Sequence, residues 1–150
     1  MALFQGFDIT ASGMTAQQYR MDIIAENIAN VKTTRTEDGT PYRRQAVLFQ
    51  EKGEGKRFGH VLSNAKARGT HFDGNGVKVV KVYDDTETDY IMEYDPTHPD
   101  ADENGYVHYP NVNTVQEMTD LIDASRAYEA NTTAFDALKS MATKGLSIGS

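Results

Sequence analysis

The chain contains no cysteine and no tryptophan among its 150 residues, and it has only four prolines. Without cysteine there is no disulfide bond, no thiolate nucleophile and no cysteine-ligated metal centre. The missing thiols leave the cellular compartment open, and they suit a chain that passes through an oxidising space. The absence therefore removes several classes of enzyme and metalloprotein, but it does not place the protein in the cell.

Long apolar runs and an early basic segment are also missing. No apolar stretch approaches the roughly 20 residues that a helix needs to cross a bilayer. The first basic residue is Arg20, so the N-terminus lacks the basic segment and apolar core of a cleaved secretory signal. We therefore expect no membrane insertion, and we expect any export to proceed without a cleaved signal peptide.

Charge is moderate overall and unevenly distributed. The net charge is −7, with 25% charged and 39% apolar residues, which fits a folded protein and argues against a nucleic-acid partner. Residues 32–68 hold most of the basic side chains, whereas residues 84–103 hold nine acidic side chains and no lysine or arginine. Two readings stay open: two solvated faces, or a self-complementary pair in which one copy meets the next.

The two ends of the chain have helical spacing. A first helix is predicted from about residue 8 to residue 31, and a second from about 114 to 144. Overlapping capping boxes at 113–116 and 114–117 begin the second helix, and Gly145 is the predicted stop. Apolar residues at alternating spacings of three and four predict a coiled-coil-like seam on each helix. The seam residues are Met14, Met21, Ala25 and Ile28 on the first helix, and Leu121, Ala124, Tyr128, Asn131, Phe135 and Leu138 on the second.

The middle of the chain changes to alternating patterns and turns. Short strands are predicted in 41–50, 77–83, 89–94 and 105–109, and the lysine- and glycine-rich 51–59 is predicted to be a mobile loop. The prediction is an α+β fold, with a small β-rich domain between two long terminal helices. Its parts are an N-terminal helical arm (1–33), a β-rich domain (34–111) and a C-terminal helical arm (112–150).

The second helix has few charged side chains outside its seam between Ser125 and Ala134. Its positions outside the seam are mostly serine, alanine and threonine, as in the stretch from Ser125 to Ala134. Small residues allow other helices to approach closely, although a mildly polar exposed helix is the alternative. A pair of helices with this composition is marginal alone, so we expect the ends to gain order on assembly.

Four segments carry a resemblance to a known family. They are "SGMTAQQYRMDIIAENIANVKT" (12–33), "TTRTEDGTPYRRQ" (33–45), "NGYVHYPNVNTVQEM" (104–118) and "SRAYEANTTAF" (125–135). They resemble the axial proteins of the bacterial flagellum, in particular the rod proteins of its basal body. Pro41-Tyr42-Arg43 stands where other rod proteins usually have a glycine followed by tyrosine or phenylalanine. The residues that carry the resemblance are Ser12, Thr15, Asn27, Ile28, Asn30, Pro41, Tyr42, Arg43, Tyr106, Pro110, Asn111, Ser125 and Arg126.

The resemblance implies a structural role. The chain would be a subunit of the proximal rod, the hollow drive shaft that crosses the cell envelope and transmits torque. Its terminal helices would form the inner layer, and its partners would be itself and other rod proteins. The flagellar type III apparatus would export it without a cleaved signal peptide. No catalysis, cofactor or small-molecule substrate is implied. The alternative is a coiled-coil adaptor that forms a closed oligomer.

Three asparagines each allow two structural interpretations. Asn27 and Asn30 lie one turn apart near the predicted end of the first helix, where they fit either a C-cap or a contact between subunits. Asn131 in the second seam fits a polar residue that sets register between helices, or an exposed asparagine. The residues alone leave both choices open.

Motifs for chemistry are weak. "DADENG" (100–105) matches the first half of a calcium loop, but its twelfth position is Asn111 instead of glutamate, and flanking prolines oppose the helices of an EF-hand. "DGNG" (73–76) fits a hairpin turn better than a nucleotide loop. The four histidines, at 60, 71, 98 and 108, lack metal-ligand spacing. We therefore predict no metal site and no enzyme.

Overall fold

The structure is a computed structural model that describes residues 2–52 and 75–148. Two long helices bracket two small antiparallel ribbons of strands, so the predicted α+β fold is confirmed. The elements are α1 (Ala2–Ala29), β1 (Gln45–Glu51), β2 (Val77–Asp84), β3 (Ile91–Tyr94), β4 (Tyr106–Tyr109) and α2 (Thr114–Ile148). The predicted loop at 51–59 begins too early, because Glu51 ends β1. The rest of that loop from residue 53, and the start of the predicted turn at 73–76, lie outside the described residues.

Helix α1 ends next to Asn30, which donates two hydrogen bonds to a carbonyl in the last turn of the helix. The backbone and the side-chain amide of Asn30 both donate to the Glu26 carbonyl, each at 3.0 Å. Asn30 itself has a negative φ, so its side chain adds a second hydrogen bond to this carbonyl without the left-handed conformation. The helix begins several residues earlier and ends two residues earlier than the sequence predicts.

Helix α2 begins with a side-chain cap. The Asn113 Oδ1 accepts hydrogen bonds from the backbone of Val115 at 3.0 Å and of Gln116 at 3.3 Å. The predicted reciprocal boxes are wrong, because the Gln116 side chain bonds Asp120 and the Glu117 side chain turns into the protein. Gly145 is also not a stop, since the helix continues to Ile148.

The helices pack antiparallel along their length. The rings of Phe7 and Phe135 meet edge to face at 5.0 Å, and Arg20 pairs with Asp120 at 3.6 Å. No helix among residues 2–52 and 75–148 has the length and apolar character to cross a membrane.

The β1–β2 ribbon lies against α1. Its register runs from Gln45 opposite Asp84 to Glu51 opposite Val77, with a bulge between Leu48 and Phe49. The Ser12 Oγ on α1 accepts a hydrogen bond from the Val77 backbone at 3.1 Å, which fixes one end of the ribbon. The half-buried side chains on the face toward α1 are Val47, Phe49, Val79 and Val82.

The β3–β4 ribbon is joined by a loop rich in side-chain-capped turns. Tyr94 pairs with Tyr106 at the loop end, and Gly105 there has a φ of +82°. The Asp102 Oδ1 accepts hydrogen bonds from the backbones of Asn104 and Tyr106, at 2.9 and 2.8 Å. These bonds engage Asp102 in its own turn, as is common for an aspartate side chain that accepts from the backbone two residues on.

Candidate functional site

A polar hub joins the two helices to the strands. Asn27 on α1 is only 1% exposed, yet its amide makes four hydrogen bonds. Its Nδ2 donates to the Gln45 carbonyl at 2.9 Å and to the Glu117 Oε2 at 3.1 Å. Its Oδ1 accepts from the Tyr42 hydroxyl and from the Gln45 backbone, both at 2.9 Å. An amide has two donors and two acceptor positions, so Asn27 is fully satisfied.

The hub contains a buried ion pair. Glu117 is 0% exposed, and its Oε1 accepts a hydrogen bond from the Arg44 Nε at 2.6 Å. The Arg44 guanidinium also reaches Asp120 at 3.7 Å, next to the Arg20–Asp120 pair. A buried carboxylate is tolerated only when it is paired and hydrogen-bonded, and Glu117 has both an arginine and the Asn27 amide.

Asn111 extends the hub toward the second ribbon. Its Oδ1 accepts from the Arg44 backbone at 2.9 Å, and its Nδ2 donates to the Asp85 carbonyl at 3.0 Å. Asn111 is buried between Pro110 and Val112. The segment before α2 is thereby tied to the segments that flank β1 and follow β2, so one network sets the position of the strands relative to the helices.

Tyr42 has an altered acidity in this environment. Burial raises the pKa of its hydroxyl to about 12, and the carboxylates of Glu26, Asp84 and Glu117 act in the same direction. The hydroxyl therefore stays protonated and keeps donating to Asn27 throughout the neutral range. The arrangement serves structure, because its titratable groups are bonded to each other and to the backbone.

Two glycines allow the helices to approach closely. A Cβ built on Gly13 would lie 2.8 Å from the Asn131 Oδ1, and one on Gly6 would lie 3.2 Å from the Leu138 Cδ1. Asn131 donates to the Ala127 carbonyl of its own helix at 2.8 Å. The half-buried Asn131 therefore packs against Gly13 and is not freely exposed.

The predicted seam lies mostly, but not wholly, in the helix pair. Ala25 is exposed, so its predicted place in the seam is wrong within the chain, whereas its neighbours Ile23 and Ile24 are buried. The reason is that α1 packs on two sides, against α2 and against the β1–β2 ribbon. Ala124 is fully buried, and the half-buried seam residues are Met14, Met21, Ile28, Leu121, Tyr128, Asn131, Phe135 and Leu138.

The outer face of α2 carries a second apolar strip. Val115 is 74% exposed, and Met118 and Ile122 are each 53% exposed. Positions i, i+3 and i+7 share one face of a helix, and this face lies opposite the one that holds Glu117 and Ala124. The strip continues with the small residues Ala130 and Thr133, both exposed. Helix α2 thus presents an apolar surface that residues 2–52 and 75–148 do not cover.

Two family models match the helical ends. Residues 7–35 match the model described as "Flagella basal body rod protein", and residues 103–148 match "Flagellar basal body rod FlgEFG protein C-terminal". The flagellar basal-body rod protein FlgC of Bacillus subtilis (strain 168) is 45% identical over 153 residues, which cover 99% of each chain. The chain belongs to the FlgC family of flagellar basal-body rod proteins.

Other FlgC relatives match over nearly their whole length. The FlgC of Borreliella burgdorferi is 43% identical over 153 residues, covering 99% of this chain and 98% of that protein. The FlgC of Escherichia coli O157:H7 is 38% identical over 149 residues, covering 99% of each chain. The resemblance to rod proteins that the sequence predicts is therefore confirmed.

Several residues that carry the FlgC-family resemblance bond to segments far away in the chain. The interpretation of Asn27 as a C-cap or a contact between subunits is wrong, because its buried side-chain amide makes all four of its hydrogen bonds inside the hub. Arg43 lies 4.4 Å from the centre of the Tyr90 ring and donates to the Asp85 carbonyl. The Pro41 carbonyl accepts from the Tyr90 hydroxyl at 3.3 Å.

The remaining motif residues divide by exposure. Ser12 holds β2, whereas Thr15 only donates to the Ala11 carbonyl of its own helix. Pro110 is buried and Ser125 is half-buried, whereas Tyr106 and Arg126 are exposed. The structure therefore brings Asn27, Tyr42 and Asn111 together in the hub and leaves Tyr106 and Arg126 on the surface.

Sequence reasoning missed two members of the hub, Glu117 and Arg44. A signal for Glu117 was present, since the seam spacing extended one step before Leu121 falls on position 117. A glutamate at a seam position requires a partner of opposite charge, and the partner lies 73 residues away in the chain. No comparable local signal marks Arg44.

No group of acidic or histidine side chains within residues 2–52 and 75–148 has the arrangement of a metal site. In the segment that matches the first half of a calcium loop, Asp100 is engaged by Arg35 at 3.3 Å and by the Thr34 hydroxyl at 2.8 Å. His98 and His108 each lie beside a tyrosine ring.

Proposed function

We propose that this chain is a structural subunit of the flagellar basal-body rod, in its proximal part. It assembles with copies of itself and with other rod proteins through its terminal helices, and it carries no catalytic activity. The hub holds the strands at a fixed position on the helix pair, so that each subunit presents the same surfaces to its neighbours. Fixed surfaces are what a shaft that transmits torque requires.

The observation that carries the proposal is the second apolar face of α2. One face of α2 is used by α1, and the strip that begins with Val115, Met118 and Ile122 stays exposed. Burying such side chains contributes about 1.5–3 kcal/mol each. A helix pair that offers an uncovered apolar strip bordered by small residues fits an assembly in which more helices pack around it.

The proposal extends to the route of export. The start of the chain folds as α1, which packs against α2 and the β1–β2 ribbon. We infer export through the flagellar type III apparatus from the membership of the chain in the FlgC family. We further infer that the helix ends far from the hub gain order on assembly.

A closed oligomer of a coiled-coil adaptor is the alternative function. It would bury the same strip in a dimer or tetramer of fixed size, whereas a rod subunit makes contacts that do not close. Sedimentation of the purified chain over a wide range of concentrations distinguishes them, since only the adaptor reaches a single discrete mass.

The decisive experiment is deletion of the gene, followed by complementation and electron microscopy of basal bodies. The deletion strain should lack complete rods and motility, and the unchanged gene should restore both. Ile122→Asp should fail to restore rods, because it places a charge in the exposed strip. The purified variant should keep its helical circular dichroism, since Ile122 makes no core contact that folding requires.

The matched control is Ile122→Leu, which keeps an apolar side chain and should restore rods. Leu121→Asp is a poorer test, because Leu121 lies in the intramolecular seam and its loss would unfold the chain. Intact rods in the deletion strain would contradict the proposed function. Normal rods with Ile122→Asp would contradict only the role of the α2 strip.

A further inference from the structure

The two ribbons expose apolar faces that are bordered by opposite charges. On the outward face of β1–β2, Leu48, Val80 and Tyr83 are each about half exposed. The register places Leu48 opposite Lys81 and Gln50 opposite Lys78, so both lysines lie on this same outward face. The surface formed by Leu48, Lys78, Val80, Lys81 and Tyr83 is called the basic face.

The second ribbon presents the counterpart. Met92 is 65% and Tyr94 is 64% exposed, and Tyr94 packs edge to face on Tyr106 at 5.3 Å. Alternation along a strand puts Met92, Tyr94 and Tyr106 on one side of the ribbon. The exposed acidic residues at the loop end of this ribbon are Asp102, whose carboxylate accepts a hydrogen bond from the Tyr106 backbone at 2.8 Å, and the adjacent Glu103. These apolar and acidic residues together are called the acidic face.

Only some charged side chains of the middle region bond to other groups within the described residues. Arg35 pairs with Asp100, and Arg43 bonds the Asp85 carbonyl. By contrast, Lys78 and Lys81 form no ion pair within residues 2–52 and 75–148, and neither do the acidic residues of the acidic face. The unpaired charges thus lie on the two ribbon faces that no other helix or strand of the described chain covers.

We propose that the basic face of one copy docks on the acidic face of a neighbouring copy. The inference rests on the proposed function only in requiring that copies assemble side by side. The occupant is a second copy because the chain carries both halves of the match, apolar centre against apolar centre and lysines against carboxylates. The two faces differ, so the contact is head-to-tail and leaves a free face at each end.

Docking also stabilises the β3–β4 ribbon. An isolated two-stranded ribbon is at best marginally stable in water. The β3–β4 ribbon packs on neither helix and not on β1–β2, within the described residues. A partner that covers Met92, Tyr94 and Tyr106 would give it the second apolar layer that it lacks.

The absence of native cysteine makes the contact testable by cross-linking. Two differently tagged full-length copies, one with Leu48→Cys and one with Met92→Cys, are co-expressed in a strain that lacks the native gene. Oxidation of assembled rods should produce a disulfide-linked heterodimer. The control pairs Met92→Cys with Asp38→Cys, an exposed turn position outside the basic face, and should produce none.

Charge reversal tests the basis of recognition. Lys78→Glu with Lys81→Glu should lower the heterodimer yield about five- to tenfold, since each exposed pair is worth a few tenths to one kcal/mol and reversal makes it repulsive. Glu103→Lys should lower the yield as well, because it reverses a charge of the acidic face. Combining the two reversed copies should restore the yield, which simple misfolding would not.

The outcomes separate this contact from the proposed function. Normal rods without the heterodimer would overturn the contact and leave the rod assignment intact. A disulfide from Met92→Cys to a different rod protein carrying a surface cysteine would also overturn it. If a cysteine variant blocks rod formation, purified full-length copies at high concentration, joined by a bifunctional maleimide, give the same comparison with the same control pair.

Discussion

The two ends of the helix pair are held in different ways. At the strand end, Asn27 and Glu117 are fully buried and tied to each other, to Arg44 and to the backbone of Gln45. At the opposite end, the contacts are apolar or involve glycine, as between Gly6 and Leu138. There the exposed side chains include Phe4, Met141 and Leu146.

This difference shows which contacts fix the register of α1 against α2. Gly6, Gly13, Arg20 and Asn27 recur every seven residues on α1, and they meet partners on α2 that descend from Leu138 to Glu117. A slip by one heptad would leave apolar contacts similar in kind, but it would leave Glu117 buried without its partners. Directional bonds and a buried charge therefore specify the register, as polar seam residues do in coiled coils.

The largest effect is expected from Asn27→Leu. Leucine has a similar volume but no hydrogen bonds, so the Tyr42 hydroxyl and both backbone groups of Gln45 lose a partner, and Glu117 keeps only Arg44. Several buried polar groups without partners should destabilise the chain by about 3–5 kcal/mol. Urea unfolding followed by circular dichroism measures this loss.

The matched control is Asn30→Ala, about one turn later and directly after the end of α1. Its amide bonds only the Glu26 carbonyl and the Thr33 hydroxyl near the surface, so the expected cost is about 0.5–1 kcal/mol. Equal costs for the two variants would contradict the distinction between the hub and the rest of the pair.

A second effect is expected from the glycines between the hub and the open end. In Gly13→Ala the new methyl group meets the Asn131 amide at 2.8 Å, and that amide is held by its bond to Ala127. Overpacking costs about 1–3 kcal/mol, whereas alanine gains about 1 kcal/mol in helix propensity. A net loss of about 1 kcal/mol is expected in urea unfolding.

Gly6→Ala provides the comparison at the open end. Its methyl group would touch only the Leu138 side chain, at 3.2 Å, and that side chain can rotate. The variant should be neutral or slightly stabilising. Adding Asn131→Ala should make Gly13→Ala stabilising as well, and a persistent loss in that double variant would show that backbone contact, rather than Asn131, limits the space.

Local patterns predicted the helices and strands because their causes are local. The alternation of apolar residues placed Phe135 and Leu138 on the packed face of α2, and Asn113 marked its beginning. The packed face of α1 was less predictable, since Ala25 is exposed and Ile24 is buried. A helix with two neighbours buries an arc that a single-seam template does not describe.

The hub was beyond local reasoning because it joins residues far apart in the sequence. Asn27 and Glu117 are separated by 90 residues, and Tyr42 and Asn27 by 15. The Thr114–Glu117 spacing matches a capping box, and that plausible local use concealed the buried role of Glu117. Tertiary pairing overrode the local preference, and only the seam spacing carried a hint of it.

The smallest effect is expected from Tyr42→Phe. The variant removes one hydrogen bond to the Asn27 Oδ1, which still accepts from the Gln45 backbone, so a loss of about 1 kcal/mol is expected at pH 8. The pKa of Tyr42 is raised to about 12 in the folded chain, mainly by burial. The protonated hydroxyl therefore stabilises the fold in full below the unfolded-state pKa near 10, and that contribution disappears as the pH rises from 10 to 12.

The pH dependence distinguishes a member of the hub from a tyrosine that merely packs. Other tyrosines and lysines also titrate above pH 10, so the useful quantity is the difference in unfolding free energy between the native chain and Tyr42→Phe. That difference should be largest at pH 8 and should shrink by pH 11, because only the native chain loses the protonated hydroxyl. A difference that stays constant would mean that Tyr42 reaches water, and that the hub is held by Asn27, Arg44 and Glu117 alone.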